Sequence, residues 1–160
     1  MNPVVTFGTY AAQLPALLAR LEACAPANRA DLAARIPLHT PGIYAFYHEG
    51  RAVYVGRTRN LRRRLSEHGR VGSSHYSASF AFLRARHAAE AAGHTASLAG
   101  LTRPDLAQHE VFGPLFVAEK SIVAGMTLRW VAVPDAVTQA LLEVYAALEL
   151  GTPFNSFETS

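Results

Sequence analysis

Four side chains near the middle of this chain have types and spacing that could do chemistry together. Tyr44 and Tyr54 flank a turn signal, His48-Glu49-Gly50, so both phenols can face one side of a hairpin. Arg64 and His68 follow at i and i+4, which makes them neighbours on a helix. Two phenols, a guanidinium and an imidazole converging on one concave place suit phosphodiester hydrolysis. The arginine can stabilise the charge that grows in the transition state. A phenol or the imidazole can orient or deprotonate water. A metal ligand is missing from the set, so a carboxylate must come from elsewhere in the chain.

Elements able to position these groups are legible around them. Gly42-Ile-Tyr-Ala-Phe-Tyr47 is rich in β-branched and aromatic residues and predicts a strand; Ala52–Val55 predicts its hairpin partner. Thr58 or Asn60 can cap a helix running to about His68, with Leu61 and Leu65 turned to the core. Upstream, Leu14, Leu17, Leu18, Leu21 and Leu32 fit one or two amphipathic helices within residues 8–36, divided at Pro26. Downstream, residues 77–92 predict a helix with Phe80, Leu83 and His87 on one face. Residues 93–112 read mostly as loop, and Phe116–Gly125 is open between helix and strand. Thr127–Val133 predicts a strand, and Pro134-Asp135 opens a last helix that Gly151 and Pro153 stop. On that helix Val137, Leu141, Val144, Tyr145 and Leu148 make an apolar stripe, while Ala136, Ala140, Glu143 and Ala147 make a side of small residues. The order is α+β: a small antiparallel sheet, made of a hairpin and a later strand, flanked by helices. Residues 1–36 are expected to form an N-terminal helical extension and 37–160 the domain proper, with an insertion at about 87–125.

Composition narrows the class. The chain has 160 residues, half of them hydrophobic and 17% charged, which suits one globular domain. No apolar run is long enough to span a membrane, and the N-terminus lacks the order of a signal peptide, so a cytoplasmic protein is expected. Cys24 is the single cysteine, which excludes a cysteine-based zinc finger. The seven histidines show no zinc-site spacing. Net charge is only +3, but 14 of the 15 cationic side chains are arginines, and seven of them crowd between Arg51 and Arg70 with Glu67 the sole acid among them. Such a patch is the footprint of a polyanion, and arginine's planar fork suits phosphate oxygens. Base composition of the genome explains arginine over lysine, but not the clustering.

Gly42-Ile43-Tyr44, then Tyr54-Val55-Gly56, then Arg57 through Leu65 with an arginine ten positions beyond the second tyrosine, resembles the GIY-YIG nuclease superfamily. Members of that family also keep a glutamate on a late helix and an asparagine about twelve residues on. Glu143 and Asn155 stand in that relation. The resemblance is close over residues 41–68 and looser over 127–157; Tyr-Val-Gly is a mild variant of the second tripeptide.

The resemblance implies a DNA endonuclease that uses Mg2+ or Mn2+. Tyr44 resembles the family's general base, with His68 to accept its proton and Arg64 to favour the phenolate and stabilise the transition state. Tyr54 would hydrogen-bond the scissile phosphate or the water. Glu143 would bind the metal, and Asn155 would fix the site by hydrogen bonds. Arg57, Arg59, Arg62 and Arg63 are expected to meet DNA, single- or double-stranded. His75 lies where some relatives carry a DNA-contacting histidine, although an exposed loop histidine is the plainer reading. Tyr47 and Tyr76 are read as packing residues. The stretch between Gly69 and Leu142 is longer than a minimal family domain needs, with the excess at about 87–125, and is expected to supply substrate contacts through Arg84, Arg86, His94, Arg103, His109 and Lys120. One site cuts one strand, so double-strand cleavage would call for a homodimer; no membrane partner is implied. Two other functions compete: a nucleic-acid-binding module that keeps the fold without cleavage, and an interaction protein that docks a partner on its N-terminal helices.

Overall fold

A computed structural model describes residues 4–157. In chain order the elements are α1 (Phe7–Ala11), α2 (Leu14–Ala23), a 3-10 turn (Arg29–Asp31), α3 (Leu32–Arg35), β1 (Gly42–His48), β2 (Arg51–Thr58) and α4 (Leu61–His68). There follow α5 (Ser79–Ala91), α6 (Thr95–Leu98), α7 (Arg103–Gln108), α8 (Phe112–Ala124), β3 (Thr127–Ala132) and α9 (Ala136–Leu150). The fold is α+β, with one three-stranded antiparallel sheet in the order β2-β1-β3. The chain forms two compact units. One holds the residues up to Arg62 and those from Thr127 on; the other is Arg63–Met126.

The first unit is built on the sheet. His48 pairs with Arg51 across the hairpin, and both residues between them, Glu49 and Gly50, have positive φ (50° and 77°). That is the two-residue turn whose twist matches antiparallel strands. Alternation sorts the strand residues between two faces. Ile43, Ala45, Val55 and Val131 join a core with Leu14, Leu18 and Leu21 of α2 and Leu142, Ala146 and Ala147 of α9. Tyr44, Phe46, Tyr54 and Gly56 lie on the other face, because Tyr44 pairs with Gly56 and Phe46 with Tyr54. The register shifts after Phe46, which leaves Val53 as an extra residue on β2. At the start of β1 a Cβ on Gly42 would lie 2.2 Å from the Val131 carbonyl oxygen, so only glycine allows β1 and β3 to close there.

The last helix turns a different side inward from the one its apolar stripe predicts. Val137, Val144 and Leu148 are exposed, and only Leu141 and Tyr145 of the stripe are partly buried against the core. The buried residues are Thr138, Gln139, Leu142, Ala146 and Ala147. Small alanines let the helix approach the strands, and Leu142 fills what they leave open. Asp135 caps the helix, its carboxylate accepting from the Thr138 N–H at 2.7 Å. Gly151, with φ 62°, ends it.

The second unit is helical. Phe82 of α5 meets Phe112 and Phe116 of α8 at 4.9 and 5.6 Å between ring centroids. The buried face of α5 is Phe80, Ala81, Phe82, Ala85 and Ala89, whereas the expected His87 is exposed. Phe112–Ala124 resolves the ambiguous stretch as a helix, and residues 93–112, expected as loop, contain α6 and α7. The overlooked signal is Thr102-Arg-Pro-Asp105, a capping box with proline in the first turn. Arg84 and Lys120 are turned inward rather than toward a substrate. Arg84 Nε lies 2.6 Å from Glu119 Oε2, and both side chains are 13% exposed. Lys120 is buried, and its Nζ donates to the carbonyls of Val71 (2.7 Å) and Ser73 (3.2 Å). Among the described residues no helix is long and apolar enough to cross a membrane.

Candidate active site

Gly56 explains how the two tyrosines share a face. Tyr44 sits on the central strand opposite Gly56, and a Cβ at residue 56 would lie 2.4 Å from both Cζ and Oη of Tyr44. The phenol therefore lies over the space that glycine leaves empty. Tyr54 is two residues back on the same strand, its ring centroid 6.4 Å from that of Tyr44. Phe46 meets Tyr44 edge to face at 5.9 Å and holds the ring from the other side along β1. Tyr44 is 1% exposed and Tyr54 is partly exposed, so the pair runs from the interior to the surface.

The outer edge of β2 collects two further predicted residues. Asn155 acts as a substitute strand. Its Oδ1 accepts from the Val55 N–H and its Nδ2 donates to the Val55 carbonyl, both at 2.8 Å. Thr152 Oγ1 donates to the same Oδ1 at 2.8 Å, and the Phe154 N–H donates to the Val53 carbonyl at 3.2 Å. An edge strand would otherwise present these groups unpaired. Asn155 thus holds the backbone between Tyr54 and Gly56 in place.

Glu143 comes from α9. Its Oε2 lies 3.0 Å from Nε of Arg57 on β2, with the carboxylate side chain 24% and the arginine 49% exposed. Burial pushes the Glu143 carboxyl above its ordinary range, and Arg57 offsets that only in part. The carboxylate is thus short of positive charge. Among the described residues no group of three or more His, Cys, Asp or Glu side chains could hold a metal ion together. One under-compensated carboxylate at the surface does fit a hard cation that keeps most of its shell as water and phosphate oxygens.

In the second unit, Arg64 is fixed by its own neighbours. Nη1 donates to the Ser77 carbonyl at 3.0 Å and Nη2 to Ser79 Oγ at 2.7 Å, while Glu67 stands 3.9 Å away. Neither serine was singled out from the sequence, because a lone serine before a helix carries no functional signal. His68 is fully buried, and burial, reinforced by the Arg64 charge, holds its pKa well below the ordinary 6.5. The ring is therefore neutral near pH 7. The lowered pKa also fixes a sign for stability. The contribution is complete above the unfolded value near 6.5 and is lost as pH falls from there toward the folded value. Urea midpoints are expected to drop between pH 7.5 and 5, and His68→Gln is expected to flatten that drop. Equal pH slopes for the two proteins would contradict the assignment.

Of the other predicted residues, Arg59 and Arg63 are exposed and Arg62 is half-buried; Arg63 pairs with Glu67 at 3.4 Å. His75 is half-buried, its ring 4.3 Å from that of Tyr76. Tyr44, Tyr54, Arg57, Glu143 and Asn155 belong to the first unit, and Arg64, His68 and His75 to the second.

Residues 40–91 match the family of the GIY-YIG catalytic domain. Over that stretch the chain is similar to the catalytic domain of the GIY-YIG nuclease superfamily. The GIY-YIG match contains both tyrosines, Arg57, Arg64, His68 and His75, whereas Glu143 and Asn155 lie beyond it. Comparison with curated proteins and with solved structures gave no match.

Proposed function

We propose that the chain is a divalent-metal-dependent endonuclease that hydrolyses phosphodiester bonds of DNA. The observation that carries this reading is the hairpin geometry: two phenols on one face, one of them lying over a glycine, within a matched nuclease domain. Tyr44 acts as general base toward the attacking water. Its ordinary pKa near 10 calls for help, and the family resemblance assigns that help to His68 as proton acceptor and Arg64 as a positive charge. Tyr54, nearer the surface, hydrogen-bonds the scissile phosphate. Arg64, oriented by Ser77 and Ser79, stabilises the charge of the pentacoordinate phosphorus. Glu143 holds the cation, Mg2+ or Mn2+, whose chemistry when bound is to stabilise the leaving 3′ oxygen. Arg57, half-exposed on β2, would meet a phosphate. Asn155 positions β2 without touching substrate.

The test is incubation of the purified chain with labelled DNA in Mg2+, Mn2+ or EDTA. Cleavage is expected with either metal and none in EDTA. Tight binding without cleavage under every metal would favour a binding module that has kept the fold.

A further inference from the structure

The second unit carries a cationic and aromatic cluster that the catalytic reading leaves unused. Tyr76, expected from the sequence to be a packing residue, is 65% exposed. Its ring stacks obliquely on His75 at 4.3 Å, and the Arg103 guanidinium stands 5.5 Å from its centroid. The same guanidinium lies 4.3 Å over Phe82, and that of Arg86 lies 6.0 Å from the Phe82 centroid. Arg103 Nη2 donates to the His75 carbonyl, which holds the cation beside the tyrosine.

Among the described residues neither Arg86 nor Arg103 lies within ion-pair distance of a carboxylate. The ion pairs of this unit involve Arg63, Arg64 and Arg84. Asp105, two residues from Arg103, is engaged with Thr102. Burial and the nearby Arg86 charge lower the Arg103 pKa, and Tyr76 offsets them only in part. Two cations gathered around one phenylalanine ring repel each other, and a polyanion relieves that repulsion. An exposed tyrosine beside them is a stacking platform. A nucleic acid offers an aromatic face and phosphates in one repeating unit. A duplex keeps its base faces inside the stack, so the strand that fits is single.

We propose that Tyr76, Arg86 and Arg103 form a binding site for an unpaired nucleotide of a single-stranded nucleic acid. The base stacks on Tyr76, and the neighbouring phosphates lie against the two arginines. The inference rests on the reading of the chain as a nuclease and names the form of strand it takes.

Fluorescence anisotropy of end-labelled oligodeoxythymidylate, with the full chain in EDTA so that cleavage does not enter, tests it. Tyr76→Ala is expected to weaken single-strand binding by roughly tenfold, the scale of one lost base stack, and Tyr76→Trp to restore it. Arg86→Ala is expected to flatten the salt dependence of single-strand binding by roughly 0.7 in log–log slope. Duplex affinity is expected to stay as in wild type for Tyr76→Ala. Oligouridylate run in parallel distinguishes RNA from DNA; Tyr76-dependent binding of either supports the site. Unchanged single-strand binding by Tyr76→Ala, or equal loss for single strand and duplex, would overturn it. The nuclease reading fails separately: a wild-type chain that cleaves nothing yet binds through Tyr76 keeps this site, and a chain that cleaves without any Tyr76 effect loses it.

Discussion

Glu143→Ala is expected to lower Mg2+-dependent cleavage by roughly 10^3-fold or more, the scale of losing a group that stabilises transition-state charge, while the protein melts no lower than wild type. The two halves of this result come from one observation. The carboxyl is pushed upward by burial more than Arg57 pulls it down. A raised acid pKa means that its contribution to stability is greatest at low pH and is lost as pH rises through the folded value. At neutral pH the ionised side chain is therefore held at some cost to the fold, and removing it relieves that cost. Arg57, half-exposed, simply returns to water. A residue kept for packing would behave in the opposite way, losing stability and leaving chemistry intact. Calorimetric titration of Mg2+ against wild type and Glu143→Ala, beside thermal melts, reads both halves. Equal metal binding by the two proteins would remove Glu143 from the metal site.

The second large effect is at Gly56. Alanine there places a methyl group 2.4 Å from the Tyr44 ring, closer than real contacts allow. Neither partner can yield easily. Tyr44 is enclosed at 1% exposure, and the strand is clamped beside residue 56 by Asn155 on Val55. Gly56→Ala is expected to cost about 3 kcal/mol, at the upper end of ordinary overpacking, and to reduce cleavage in the fraction that still folds. The cause is specific to the ring, so a double-mutant cycle isolates it: the Gly56→Ala step should cost much less in a Tyr44→Ala background. Urea unfolding of the four proteins measures the coupling. If the glycine step costs the same in both backgrounds, the ring is not what the methyl meets.

These two sites also mark how far the sequence could be read. The hairpin was legible, because β-branched and aromatic residues on either side of His48-Glu49-Gly50 specify strands and a tight turn locally. Gly56 was legible as part of a motif, but its contact with Tyr44 was not, since register across strands is a tertiary fact. The Arg57–Glu143 pair joins β2 to α9 from opposite ends of the chain, and nothing local predicts it. The stripe on α9 misled for a physical reason. Valine and leucine outrank alanine in hydrophobicity, yet the sheet selects Ala146 and Ala147 for their size and leaves Val144 and Leu148 exposed. Pro104 falls in the stretch 93–112 that reads as loop, yet with Thr102 and Asp105 it begins α7. The inward-facing Arg84 and Lys120 show the limit of charge as a guide, because a cation in the sequence does not reveal its partner.

The central claim is that Tyr44 takes the proton from water on a hairpin shaped for that task. Single-turnover cleavage of labelled DNA in Mg2+ by wild type and Tyr44→Phe tests it most directly. The phenylalanine keeps the ring over Gly56 and removes only the hydroxyl. A fall in rate of about 10^2- to 10^4-fold, the range for losing a general base, with unchanged melting is the predicted result. Cleavage at the wild-type rate by Tyr44→Phe would contradict the account.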